Sequence, residues 1–106
     1  MITRQKLEKF RDILLAADPK AQHYRSVRKS NYTCWAEFRN TKFIADNGTQ
    51  DIKWFIQVDR FTKVEYDPMV DAINGALERD DIAFSYDCDH ELDTGYIHHF
   101  WTCEVV

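Results

Sequence analysis

Apolar residues recur at helical spacing near the start of the chain. Thr3 is suited to cap a helix, and Pro19 disfavours helix at Asp18, so a first helix is predicted between them. Its apolar stripe consists of Leu7, Phe10, Ile13, Leu14 and Ala17. The charged residues expected to face water are Lys6, Glu8, Lys9, Arg11 and Asp12. We expect the stripe to pack in a core.

The period of the pattern changes to two at Asn31, which predicts a β-strand. One face of this strand carries Tyr32, Cys34, Ala36 and Phe38, and the other carries Thr33, Trp35, Glu37 and Arg39. A long polar connection is then predicted from Arg39 to Gln50, with a turn at Asn47-Gly48. Phe43 and Ile44 lie inside it, and two roles stay open for them: packing in the core, or docking on another chain.

The segment from Asp51 to Thr62 has the clearest strand pattern in the chain. One face carries Ile52, Trp54, Ile56 and Val58, and the other carries Lys53, Phe55, Gln57, Asp59 and Phe61. Aromatic residues occur on both faces, so we expect neither face to be fully solvated.

A second helix is predicted to start at Asp67 and Pro68, with Asp67 as its cap and Pro68 at its first position. Its apolar stripe consists of Val70, Ile73 and Leu77. Gly75 lowers helix propensity by about 1 kcal/mol relative to Ala. We expect this glycine to permit close packing on the sheet.

Two further strands are predicted after the second helix. The third contains Ile82, Phe84 and Tyr86, and the fourth runs from Tyr96 to Val105. The resulting order, α-β-β-α-β-β, predicts a single α+β domain over residues 1–106, with a largely antiparallel sheet packed with two helices.

Two arrangements of the helices fit this pattern. In the first, both helices cover the sheet face that carries Trp54 and Trp101, and the other face stays open. Trp35 is a further candidate for a residue of that open face. In the second, the helices lie on opposite faces or the sheet curls over itself. An exposed aromatic patch often marks an interface. The candidate subunit interface is therefore Phe43, Ile44, Phe55, Phe61, Tyr96 and Phe100.

The stretch DHELDTGYIHHFW, residues 89–101, concentrates acids and histidines. Strand alternation sends His98 and His99 to opposite faces, whereas a tetrahedral metal site needs converging ligands. We expect His99 to be a hydrogen-bonded residue of the core or its boundary. The alternating acids lack the Gly and Glu positions of an EF-hand loop, so a solvated hairpin loop turned at Thr94-Gly95 is predicted. These acids are Asp87, Asp89, Glu91 and Asp93.

The same stretch supports an alternative hypothesis from another class. A small metal-binding module or metal-dependent enzyme would use His90, Glu91, Asp93 and His98. The sequence contains no glycine-rich phosphate loop and no His-Glu-x-x-His zinc motif. We therefore expect no enzyme activity, no catalytic residue, no metal site and no cofactor.

Composition and charge narrow the classes of function that remain. Net charge is −4, from 14 Lys and Arg and 18 Asp and Glu. The only cationic run, Arg25–Lys29, is expected to be a solvated linker, so direct nucleic-acid binding is not expected. No apolar run approaches the roughly 20 residues that span a bilayer, and the charged start does not resemble a signal peptide. Three widely spaced cysteines indicate reduced thiols in the cytoplasm rather than a disulfide framework.

Two short segments of the second half form a further pattern. One is IQVDRFTK, residues 56–63, and the other is ELDTGYIH, residues 91–98; the helix segment EYDPMVDAINGAL and the closing strand FWTCEVV complete it. Over roughly residues 51–106 the chain resembles the small tail-terminator or tail-completion proteins of long-tailed bacteriophages and prophages. The first half matches that family only in layout. The matching residues are Ile56, Gln57, Val58, Asp59, Phe61, Thr62, Lys63, Glu91, Asp93, Thr94, Tyr96 and His98.

This resemblance implies a structural role and supplies no catalytic residue. Such proteins assemble as rings, commonly six-fold, at the head-proximal end of the tail tube, where they stop tube polymerisation and face the head connector. A ring closes through head-to-tail interfaces. The implied partners are further copies of the chain, the tail-tube protein and the head-completion or connector protein. The implied location is the host cytoplasm during assembly, then the tail or neck of the virion. A host-directed phage adaptor of the same fold is a third hypothesis.

Overall fold

Two helices pack on one face of a five-stranded sheet in the computed structural model, which describes residues 3–25, 30–44, 48 and 50–106. The elements are α1 (Thr3–Ala17), β1 (Gln22–His23), β2 (Tyr32–Ile44), β3 (Gln50–Thr62), α2 (Pro68–Arg79), β4 (Ala83–His90) and β5 (Ile97–Val105). The strand order is β1-β2-β3-β5-β4, and every pair is antiparallel except β1 with β2. The predicted α+β class and the order of its longer elements are confirmed. The short parallel strand β1 was not predicted.

A single hydrophobic cluster joins both helices to the same face of the sheet. The buried members are Phe10, Leu14, Trp35, Ile56, Val58, Ile73, Leu77, Trp101, Cys103 and Val105. The first of the two predicted arrangements is therefore the observed one. Trp35 is only 4% exposed within this cluster, so its assignment to the open face is wrong. Its indole packs under the helices because Trp35 lies opposite Val58, which points into the core.

The start of α2 follows its predicted capping chemistry. Asp67 has an extended backbone, its carboxylate accepts a hydrogen bond from the N–H of Met69 at 3.0 Å, and Pro68 follows as the first helical residue.

The prediction that Gly75 permits close packing on the sheet is wrong. A Cβ placed there would meet only the Arg79 guanidinium of the same helix, at 3.8 Å, beyond the helix backbone itself. In the described ranges, neither helix combines the length and the hydropathy needed to cross a bilayer.

Lys6 is buried, contrary to the expectation that it faces water. The residue is 3% exposed, and its ammonium donates to the Asp51 carboxylate at 2.5 Å and to the carbonyl of Ile52 at 2.7 Å. Both acceptors lie at the start of β3, so the first turns of α1 are held against that end of the strand. The carboxylate removes the charge penalty that makes an unpaired buried lysine rare.

A buried ionic cluster ties both helices to the sheet. The guanidinium of Arg60 donates to the Asp67 carboxylate from Nε at 3.1 Å and from Nη2 at 3.0 Å. Nη1 donates to the Thr33 hydroxyl at 3.2 Å and lies 3.7 Å from the Asp18 carboxylate. Burial alone would raise the pKa of Asp67, but hydrogen bonds from Met69 N–H, the Thr62 hydroxyl and Arg60 outweigh it, so the pKa is lowered.

Strands β2 and β3 form one long hairpin, so the long connection predicted from Arg39 to Gln50 is wrong. Their pairing continues to Ile44 opposite Gln50. Because β3 pairs with β5 only from Trp54 onward, residues 41–44 and 50–53 form a two-stranded ribbon. We call this ribbon, together with residues 39–40 at its base, the hairpin arm. A strand of this length extends about 43 Å, which accounts for most of the molecule's 49 Å length.

A β-bulge between Glu37 and Arg39 changes which face β2 presents. Arg39 lies opposite Phe55 and is therefore on the face away from the helices, not on the face of Trp35 as alternation predicted. Beyond the arm, Gly48 has a φ of +80°, as a turn there requires, while Asn47 lies outside the described residues.

The predicted acidic loop is shorter than expected. Strand β4 continues to His90, so Asp87 and Asp89 are strand residues paired with Phe100 and His98. The turn occupies the residues between His90 and β5, and Gly95 provides its positive φ of +78°. An edge strand exposed to water carries no apolar alternation, which explains why the sequence pattern resembled a loop.

Candidate functional site

No helix or strand of the described chain packs on the sheet face opposite the helices. We call this face the open face. Its central side chains, each only partly exposed, are Tyr32, Phe55, Asp59, Phe61, Tyr96, His98 and Phe100. They come from β2, β3, β5 and the residue before β5. They share one face because paired residues of neighbouring strands point to the same side of a sheet.

Five rings of the open face form a contiguous aromatic row. Phe61 stacks on His98 at a centroid distance of 4.1 Å and on Tyr32 at 4.8 Å. Tyr96 meets Tyr32 and Phe61 edge-on at 6.0 and 6.2 Å. Phe100 lies 5.1 Å from His98 and extends the row. These geometries are the offset-stacked and edge-to-face contacts that aromatic rings favour.

Polar contacts fix the orientation of this row. The Asp59 carboxylate lies 2.6 Å from His98 Nε2 and accepts a hydrogen bond from the Gln57 amide at 2.8 Å. The Tyr96 hydroxyl donates to the carbonyl of Ser30 at 3.1 Å. Each ring therefore has a defined position before any partner binds, which reduces the entropy lost on association.

A second, smaller patch surrounds Phe55. The guanidinium of Arg39 lies 4.2 Å from the Phe55 ring centroid and the ammonium of Lys53 lies 5.5 Å from it. Phe38 lies 6.3 Å away on the other side. Phe55 precedes Phe61 by six residues along β3, about 20 Å in a strand, and precedes Asp59, which lies opposite Phe100, by four residues, about 13 Å, so this patch is separate from the aromatic row.

The six predicted interface residues therefore fall into three places. Phe61, Tyr96 and Phe100 belong to the aromatic row, and Phe55 centres the second patch. The remaining two lie at the end of the hairpin arm, where Phe43 is half-buried and Ile44 is 73% exposed. Their role in an interface stays a prediction. His98 was left out of that set, although strand alternation had placed it on the same face as Phe100. Tyr32 and Phe38 were missed because Trp35, which alternates with them, was the candidate for the open face.

The two adjacent histidines separate as predicted. His98 lies on the open face, whereas His99 faces the helix side and its Nδ1 lies 2.6 Å from the Tyr86 hydroxyl. Burial lowers the pKa of the His99 imidazole. The structure does not assemble the alternative metal site: across the described ranges, no group of three or more His, Cys, Asp or Glu could hold a metal ion.

The thiols near the core are protonated at neutral pH. Burial, with a smaller effect of the Asp59 carboxylate, raises the pKa of Cys34 to about 11. Burial raises the pKa of Cys103 to about 12. Because the thiolate is the reactive form, both thiols are weak nucleophiles at neutral pH, and Cys103 is a member of the hydrophobic cluster.

Comparison with solved structures identifies the class of fold. A chain in the structure of a virion of a native gene transfer agent particle matches this one with a TM-score of 0.54 and 9% sequence identity. The match covers 94% of this chain and 89% of that chain, so the shared fold extends over nearly the whole of both chains. No protein-family model and no curated protein matches the sequence.

Proposed function

We propose that this chain is a structural protein of a phage-like particle, and that it assembles as a ring which ends the tail tube and joins it to the head. The observation that carries the proposal is the fold shared, over nearly the whole of both chains, with a chain of a gene transfer agent virion. The resemblance of the second half to tail-terminator or tail-completion proteins supports the more specific position, at the end of the tail tube.

The open face supports a role in assembly. It presents a contiguous, ordered aromatic row on a chain of 106 residues, and large exposed apolar patches usually mark protein contacts. Aromatic residues are also the type most enriched at interface cores. The row is therefore the surface we expect to meet other virion proteins.

The two sequence segments that carry the resemblance meet on this face. Asp59 and Phe61 come from the first segment, residues 56–63, and both contact His98 of the second, residues 91–98. Tyr96 of the second segment packs edge-on against Phe61. Residues that are distant in sequence thus form one surface, which supports reading the pattern as a unit.

The proposed partners are further copies of the chain, the tail-tube protein and the head-completion or connector protein. Assembly would begin in the host cytoplasm and end with the protein in the tail or neck. The role is non-catalytic: rings bind partners through complementary surfaces and hold them in register.

Electron microscopy of reconstituted tails tests this proposal. The chain is mixed with the tail-tube protein encoded near it while tubes polymerise, and a Phe61→Ser/Phe100→Ser variant serves as the comparison. We expect wild-type protein to form rings, to cap one tube end and to stop growth, and the variant to cap poorly. Leu92→Ser is the matched control, because Leu92 is 87% exposed in the turn outside the aromatic row. Absence of rings and caps with wild-type protein would contradict the proposal.

A further inference from the structure

Charge is distributed unequally along the chain. Residues 80–106 contain seven Asp or Glu and no Lys or Arg, so all 14 Lys and Arg precede residue 80. Within the fold this division runs across the sheet, because residues 80–106 form β4 and β5 at one side. The described part of the hairpin arm carries three cations and one acid; the acid, Asp51, is paired with Lys6 and one of the cations, Lys53, with Glu104, which leaves Arg39 and Lys42 without an acidic partner among the described residues. The two sides of the sheet therefore have opposite charge.

Both sides of the sheet also end in strands with a free edge. Within residues 83–90, β4 pairs only with β5. On the other side, β1 covers β2 only at Cys34 and Trp35, so the outer edge of β2 from residue 36 to residue 44 has no partner strand among the described residues. Unpaired backbone N–H and C=O groups on such edges are templates for pairing with another chain.

The strand directions allow these two edges to pair. The four long strands alternate in direction across the sheet, so β4 runs opposite to β2. A second copy shifted across the sheet without inversion would therefore bring its β2 antiparallel to β4 of the first copy. The ladder places Ala83 level with Arg39 and Asp89 level with Tyr32, so contact with the hairpin arm also requires a slide along the strands. β4 has eight residues, and the free part of β2 spans a comparable length.

We propose that copies of this chain join head to tail, with the acidic β4 edge of one copy paired to the basic hairpin arm of the next. This inference rests on the proposed self-assembly and specifies which surfaces meet. Pairing of two β4 edges, or of two arms, would place like charges together, which disfavours a two-fold dimer. Pairing of opposite edges is heterologous, the type of contact that generates rings when the rotation closes.

Individual side chains are available for this contact. Lys42 is exposed on the arm and Asp89 is exposed on β4, and neither has an ion pair or a side-chain hydrogen bond within the described ranges. Lys42 lies opposite Ile52 and points to the helix side, whereas Asp89 lies opposite His98 and points to the open face, so the charges that can meet on one face are Arg39 and the two β4 aspartates. Arg39 and Asp87 add one exposed charge of the same sign to each edge. Ile44, at the end of the arm, adds apolar surface for the neighbour to cover.

A charge-swap experiment tests the pairing. One variant reverses the acidic edge, Asp87→Lys/Asp89→Lys, a second reverses the arm, Arg39→Glu/Lys42→Glu, and a third carries all four substitutions. Sedimentation velocity at low ionic strength measures association, and circular dichroism with thermal unfolding checks the fold. If a double variant unfolds, Asp89→Lys or Lys42→Glu replaces it, since these side chains have no partner within the described chain.

Each double variant alone is expected to associate about tenfold or more weakly than wild type, because its two edges now carry the same charge. An equimolar mixture of the two, and the four-substitution chain alone, are expected to recover association, since opposite edges again have opposite charges. Wild-type association is expected to weaken with added salt.

Two results would overturn the inference. In the first, folded double variants associate as tightly as wild type, which leaves ring assembly intact but moves it to other surfaces. In the second, wild-type protein stays monomeric at its highest soluble concentration. That result would reject the contact between copies, and the proposed function would then be tested separately by the capping of tail tubes. Failure to cap tubes, with charge swapping still successful, would reject the tail role and retain the edge contact.

Discussion

Replacement of Arg60 by Met removes the only cation of the buried ionic cluster, as far as the described chain extends. Arg60 is 9% exposed and contacts the carboxylates of Asp67 and Asp18, which are 8% and 4% exposed. Methionine fills part of the same space with an unbranched apolar side chain. Two carboxylates are then left in the protein interior without a compensating charge.

The cost follows from that geometry. Removing one partner of a buried ion pair typically destabilises a protein by about 3–5 kcal/mol, because the other charge stays buried and unpaired. The Thr33 hydroxyl also loses its 3.2 Å hydrogen bond with Arg60. Domains of this size are stable by about 5–15 kcal/mol, so we expect a folded but weakened variant or one near its unfolding midpoint.

Urea unfolding at neutral pH measures the loss, with Arg4→Met as the surface control. Arg4 pairs with Glu8 on α1 but its side chain is 82% exposed, so its loss is expected to stay within about 0.5 kcal/mol. Adding Asp18→Asn and Asp67→Asn to Arg60→Met is expected to recover part of the stability, because it removes the unpaired charges. A loss below about 1 kcal/mol for Arg60→Met, or no recovery in the triple variant, would refute this reasoning.

Three further predictions concern stability. The pKa of Asp67 is lower in the folded protein than its ordinary value of 3.8, so the contribution of Asp67 to the free energy of unfolding is complete above that value and is lost as pH falls below about 4. Urea midpoints measured from pH 6 to pH 3 should therefore decrease, and a constant midpoint would contradict this prediction. Trp54→Phe removes an indole N–H that is buried without a partner among the described residues and should change stability by less than about 1 kcal/mol. Trp101→Phe leaves a cavity in the core and should cost about 2 kcal/mol or more; equal losses for the two variants would contradict this assignment. Lys6→Met should lower the thermal midpoint because the start of β3 loses its ammonium donor, whereas Lys9→Met, at an exposed position of the same helix, should not; equal midpoints for the two variants would show that the buried lysine is not structural.

Sequence reasoning succeeded where one face of an element is buried. The alternation around Ile56 and Val58, and that around Trp101 and Cys103, correctly predicted which sides of β3 and β5 face the helices. The Asp67-Pro68 pair likewise predicted the start of α2, because its chemistry is local.

Prediction failed where burial is absent or the partner is distant. Residues 39–44 of β2 and the end of β4 are largely exposed, so no apolar period marks them as strands, and both were predicted to be loops. Lys6 was assigned to solvent because the acid that neutralises it lies 45 residues later. The separation of Phe55 from Phe100, which lies on a neighbouring strand, depends on strand register, and the face pattern alone does not define that register.

Examination of purified particles tests the central claim most directly. Particles produced by a strain that encodes this chain are analysed by mass spectrometry and by electron cryo-microscopy of the head–tail junction. The proposed function predicts that the chain is present and that a ring of its fold occupies the head-proximal end of the tail tube. Its absence from intact tailed particles, or a junction filled entirely by other chains, would contradict that claim.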